Sequence, residues 1–114
     1  MREDRISMEV VVDAYDSGER AMGWYYYLDD KLKVPFAARC TSVRPVSPLE
    51  IGEIVQVLGM APVEECKAEM FVWVKRSSGR IAVPLMQLQP KSGDDETQQA
   101  VGDWHYWLAR GYEF

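Results

Sequence analysis

This chain has very little of what catalysis usually requires. Its 114 residues include one histidine, His105, and two cysteines, Cys40 and Cys66. A lone imidazole between Trp104 and Tyr106 offers no nucleophile, base and orienting group in readable order, so nucleophilic catalysis finds no support. One histidine and two unpaired cysteines also fall short of the four N or S donors of a structural zinc site. There is no Gly-rich phosphate loop. Two cysteines without a CxxC spacing cannot build a disulfide scaffold, which points to a reducing, cytoplasmic setting. No apolar run approaches the ~20 residues of a membrane span, and the charged start Arg2-Glu3-Asp4-Arg5 is not a secretory leader. Cations are also scarce. Lys and Arg number 13 against 18 Asp and Glu, a net charge of −5, which argues against nucleic acid as a partner because that binding rests on neutralising phosphates.

What the chain does have is a core and a set of acids. Hydrophobic residues make up 47% of it, enough for a single domain spanning residues 1–114 without covalent staples. The first thirteen residues read as a lead-in whose Val10-Val11-Val12 can pack. Asp16, with Glu19 three residues on, begins a capping-box pattern. Ala21, Trp24, Tyr25, Leu28 and Leu32 then follow helical spacing, predicting a helix over residues 17–32 that stops before Pro35. Residues 36–88 read as short strands: 36–43, 53–58, 70–74, 80–83 and a fifth piece at 85–88. Ser77-Ser78-Gly79 forms a tight turn in which glycine takes the positive φ, and Pro84 suits an edge or a bulge. So many short strands and turns predict a small SH3-like antiparallel barrel. A second helix over residues 95–110 has Thr97, Val101, Trp104 and Leu108 on one stripe and Gly111 past its end. The fold class is therefore α+β, a barrel flanked by two helices, with Trp24, Trp104 and Trp107 packing helices onto the sheet.

The acids collect at the ends of these elements. Asp13, Asp16 and Glu19 start the first helix and Asp29-Asp30 end it. Glu64, Glu65 and Glu69 precede the third strand. Asp94, Asp95 and Glu96 start the last helix, with Asp103 two turns on. Calcium takes six to eight oxygens in flexible geometry, which loops with adjacent carboxylates can supply. An EF-hand fails on inspection. From Asp13 the sixth position is Gly18, but positions 3, 5 and 12 are Tyr15, Ser17 and Trp24; from Asp94, positions 6 and 12 are Gln99 and His105. Any site must be assembled from separate segments. Each cluster also has a plain structural reading. Asp16, Asp94 and Asp95 suit helix starts as caps and dipole partners. Asp29 and Asp30 sit at the unfavourable end of a helix dipole, so they are harder to explain that way. The residues alone leave two functions open. One is a metal site. The other is an SH3-like interaction module that grips a peptide through Tyr26, Tyr27 and Trp73.

Several stretches are distinctive: Glu19-Arg20-Ala21-Met22-Gly23-Trp24-Tyr25-Tyr26-Tyr27-Leu28-Asp29-Asp30, Val57-Leu58-Gly59-Met60-Ala61-Pro62, Glu64-Glu65-Cys66, Glu69-Met70-Phe71-Val72, Asp103-Trp104-His105-Tyr106-Trp107 and Gly111-Tyr112-Glu113-Phe114. Together they resemble the small non-EF-hand calcium-binding proteins of the CcbP type, from residue 13 to the end. The resemblance implies no enzymatic activity, and reversible binding of Ca2+ by acidic side chains to buffer or sense the ion. The acids inside the matching stretches give the candidate ligands: Asp29, Asp30, Glu64, Glu65 and Glu69 for a principal site, and Asp94, Asp95, Glu96 and Asp103 for a second, weaker one. Cys66 is expected to pack as a thiol, because calcium prefers hard oxygen donors.

Overall fold

The computed structural model describes residues 2–12, 14 and 16–111. Asp13 and Tyr15, and the last three residues of the distinctive terminal stretch, lie outside the described residues.

Helix α1 (Arg2–Arg5) runs into a π-helical turn, Ile6–Val10. The long helix α2 spans Ser17–Lys31, and Asp16 caps it by accepting the Glu19 N–H at 2.8 Å. Its last backbone bond runs from the Leu32 N–H to the Leu28 carbonyl, after which Leu32 is extended. Five strands follow, β1 (Phe36–Cys40), β2 (Ile54–Met60), β3 (Phe71–Arg76), β4 (Gly79–Pro84) and β5 (Leu88–Pro90), and then helix α3 (Asp95–Ala109). Two 3-10 turns interrupt the sheet region, Val63–Cys66 before β3 and Leu85–Gln87 before β5. Gly111, at φ +81°, follows the end of α3 as the sequence predicts.

The strands form one antiparallel sheet in the order β4-β3-β2-β1-β5. The expected closed barrel is corrected to an open sheet. Closure would need a ladder between the edge strands β4 and β5, and none is present among the described residues. Proline ends both edge strands, at Pro84 and Pro90, and neither can donate to a further ladder. Smaller boundaries shift as well. Residues 41–43 leave β1, and the 85–88 piece is a 3-10 turn followed by β5. The positive φ of the β3–β4 turn falls on Ser77, at +50°, while Gly79 opens β4. Gly59, at φ +149°, lies where the β2–β3 register shifts, a β-bulge that turns the end of β2 toward the first 3-10 turn.

The core lies between the sheet and the helices. Trp24 is fully buried, with its ring 5.0 Å from Trp104, 5.5 Å from Trp107 and 5.9 Å from Tyr27. The predicted stripes of both helices are therefore the buried ones, and the tryptophans join α2 to α3. Phe36, Val57, Val72, Val74 and Val83 supply the inner face of the sheet. The lead-in crosses α2 at Gly23, where a Cβ would stand 2.2 Å from the Val10 carbonyl oxygen, so only glycine admits this approach.

Candidate metal site

Helix geometry divides the Asp29-Asp30 pair. Successive residues are about 100° apart around a helix, so the two carboxylates leave α2 in different directions. Asp30 lies toward the start of α3. The Lys31 ammonium stands 3.9 Å from an Asp30 oxygen and 3.3 Å from a Glu96 oxygen. Asp29 lies toward the first 3-10 turn. It shares a helix face with Tyr25, four residues earlier, whose hydroxyl donates to the Ala61 carbonyl at 2.9 Å just before that turn. Burial raises the Tyr25 pKa, and the negative charges of Asp29 and Glu64 raise it further. Asp29 from α2 and Glu64 from the turn therefore both bear on one phenol. Glu64 and Glu65 are exposed, while Val63 beside them is half-buried and Cys66 is buried. Ser17, Gly18, Ala21 and Met22 face Val63, Glu64, Cys66 and Lys67 across a groove of about 600 Å³.

Three of the other candidate acids, Glu69, Asp94 and Asp103, are already engaged. Glu69 forms a two-pronged ion pair with Arg44, at 2.5 and 3.2 Å, and these bonds raise the Arg44 pKa. Asp94 caps α3 by accepting the Thr97 N–H at 2.8 Å, and this bond holds its carboxyl below the usual range. Asp103 is fully buried. It accepts from Arg2 Nε at 2.7 Å, from Arg5 at 2.6 and 2.9 Å, and from the Tyr27 hydroxyl at 2.7 Å. Burial pushes its pKa up, but bonds from Arg5, Tyr27 and Arg2 outweigh that and hold it below its ordinary value. Asp103 thus fastens the lead-in to the helices, and nothing in its surroundings connects it to the acids at the start of α3. The side-chain carboxylates of Asp29, Glu64, Glu65 and Asp95 take part in none of the hydrogen bonds or ion pairs found among the described residues. Nor, among those residues, do three His, Cys, Asp or Glu side chains stand close enough to hold a metal together.

The carboxylates of Asp29, Glu64 and Glu65 are hard oxygen donors of the kind that calcium takes. All three residues are exposed, Asp29 on the last turn of α2 and the two glutamates on a short 3-10 turn. Sulfur does not enter. Cys66 is buried, its Sγ accepts from the Phe71 N–H at 3.3 Å, and burial raises its pKa. Cys40 and Cys66 are both free and buried. His105 has its pKa lowered by burial, which suits a packed neutral imidazole. The peptide-gripping set does not form one surface. Tyr26 is 62% exposed, but Tyr27 is buried with its hydroxyl on Asp103, and the Trp73 ring lies 4.2 Å under Arg80.

The sequence grouped Asp29 with Glu64 only through the family resemblance, and the Tyr25 bond that joins their two elements was not legible in it. The only available signal was that Tyr25 and Asp29 are four apart on a predicted helix. The Ala61 carbonyl, which completes the link, has no sequence signature.

Comparison with known proteins agrees with this donor chemistry. The chain matches the CcbP family, described as calcium binding, over residues 4–108. The crystal structure of CcbP from Anabaena superposes with a TM-score of 0.87 at 46% identity, covering 99% of this chain and 93% of that one. A structure described as a calcium binding protein in the calcium-binding form superposes with a TM-score of 0.86 at 45% identity, with the same coverage. No curated protein matches significantly. On both the family match and the structural likeness, the chain belongs to the CcbP family of calcium-binding proteins.

Proposed function

We propose that this protein binds Ca2+ reversibly, as a buffer or sensor, through carboxylates of Asp29 on α2 and of Glu64 and Glu65 on the first 3-10 turn. One observation carries the choice of site. Asp29 and Glu64 lie 35 positions apart in sequence, yet Tyr25, one turn before Asp29 on α2, bonds the Ala61 carbonyl three residues before Glu64. Calcium takes carboxylate oxygens from separate elements in flexible geometry, which suits acids so placed. A second, weaker region comprises Asp30, Asp95 and Glu96. It is weaker because Lys31 occupies the space between Asp30 and Glu96 and must be displaced. Glu69, Asp94 and Asp103 serve structure.

The three exposed acids Asp29, Glu64 and Glu65 need not form a complete cage before the ion arrives, since calcium keeps water and tolerates irregular coordination. Two buried free thiols support a reducing, cytoplasmic setting. The strand order and the 3-10 turn between β4 and β5 support an SH3-like arrangement of the sheet.

Calorimetric calcium titration of the wild type, Asp29→Asn, Glu64→Gln and Glu96→Gln tests the assignment. Asp29→Asn and Glu64→Gln should each weaken the tighter site, while Glu96→Gln leaves it unchanged. Wild-type affinity in both of the first two variants would refute the site.

A further inference from the structure

We infer that Tyr25 is a positioning residue for this calcium site, its hydroxyl holding the turn that carries Glu64 and Glu65 against the helix face that carries Asp29. The inference rests on the assignment of Asp29 and Glu64 to the site.

The geometry is a short closed path. Tyr25 and Asp29 are one turn apart on α2, so their side chains leave the helix on the same side. The Tyr25 hydroxyl reaches the Ala61 carbonyl at 2.9 Å. Ala61 is itself fully buried, and its N–H donates to the Phe71 carbonyl at 3.0 Å, which fixes the start of the turn to β3. Within the turn, the Glu65 N–H donates to the Pro62 carbonyl at 2.8 Å. At its far end the Cys66 thiol accepts from the Phe71 N–H. Both ends of the turn are thus tied to Phe71, and the exposed residues between them are Pro62, Glu64 and Glu65.

Among the described residues, the Tyr25–Ala61 bond is the one hydrogen bond that joins this assembly to α2. Apolar packing is non-directional and leaves the turn freer to shift along α2. A directed bond to a buried carbonyl resists that motion, because an unpaired carbonyl there has little water to turn to. Calcium affinity depends on how much ordering the ligands still require when the ion arrives. Holding Glu64 at a set distance from Asp29 before binding removes part of that cost. The ring is half-buried, so Phe fills the same space and only the hydroxyl is lost.

The experiment is a double-mutant cycle read by calcium titration calorimetry on the full chain: wild type, Tyr25→Phe, Glu64→Gln and both together, with Asp29→Asn as the check on the site. Tyr25→Phe should weaken calcium binding about tenfold, the lower end for loss of a group that orients a metal ligand. In the Glu64→Gln background the same change should have little further effect, because the two residues act through one path. A merely structural loss would weaken binding equally in both backgrounds, and that result overturns the inference. An unchanged affinity in Tyr25→Phe, with Asp29→Asn and Glu64→Gln still weakened, overturns it while leaving the site intact. Wild-type affinity in Asp29→Asn and Glu64→Gln overturns the site and the role of Tyr25 together. Should Tyr25→Phe not fold, amide exchange of the wild type decides. Calcium must slow exchange in Val63–Cys66 and at the end of α2 together, and unchanged exchange in the turn refutes the coupling.

Discussion

Replacing Asp103 with Asn separates structure from calcium binding in one experiment. The carboxylate is fully buried and accepts hydrogen bonds from Arg2, Arg5 and Tyr27. Asparagine keeps the shape but removes the charge and turns one acceptor into a donor that faces the guanidinium groups. Removing one partner of a buried ion pair typically costs ~3–5 kcal/mol, chiefly because the other charge stays behind unpaired. Here the remaining charges are only partly withdrawn from water, with the Arg2 and Arg5 side chains 44% and 21% exposed. The cost should therefore sit at or just below the lower end, roughly 3 kcal/mol, which for a domain of this size lowers the midpoint by on the order of 10 °C. The sign of the pH effect follows from the depressed carboxyl pKa. The stabilisation from Asp103 is complete above its unfolded-state pKa of about 3.9 and is lost as pH falls through the lower folded value. Thermal melts from pH 7 down to acid should thus show wild type and Asp103→Asn converging, with the difference largest at neutral pH. Calcium affinity, measured on the folded variant, should be unchanged. A melting point within a degree or two of wild type would refute the clamp. Loss of calcium binding in a folded Asp103→Asn protein would return this acid to the metal site.

Other outcomes follow from the same structure. Calcium binding only the folded state should stabilise it by roughly 2.7 kcal/mol at a hundredfold excess over its dissociation constant, raising the melting temperature, and a chelator should reverse the shift. Competition titration should rank calcium above magnesium, because magnesium demands tight octahedral geometry that side chains from separate elements do not supply; equal affinity would contradict an assembled site. Gly23→Ala should destabilise the fold by about 1–3 kcal/mol in denaturant unfolding, since its Cβ would meet the Val10 carbonyl oxygen and the lead-in must shift. Asp94→Asn should lower the melting temperature by weakening the bond to the Thr97 N–H, and should leave the tighter calcium site unchanged by titration.

The sequence by itself determined the elements and the chemical class of any ligand. Helical spacing located α2 and α3 because the Trp24 and Trp104 stripes must be buried, and periodicity records that demand locally. The capping role of Asp16 was legible for the same reason, since its partner lies three residues away. An excess of carboxylates over His and Cys pointed to hard-cation chemistry. Which carboxylates remain free was decided only in three dimensions. Asp103 and Glu69 look in sequence like any other acids, and what engages them is cations 101, 98 and 25 positions away. The open sheet was likewise beyond local pattern, because closure depends on whether two edge strands meet, and strand composition does not encode that. Asp29 and Asp30 show the limit most directly. As neighbours in sequence they read as one pair, but the pitch of the helix sends one toward the 3-10 turn and the other toward Lys31 and Glu96. Charge is written in the sequence, whereas the distance between charges is set by the fold.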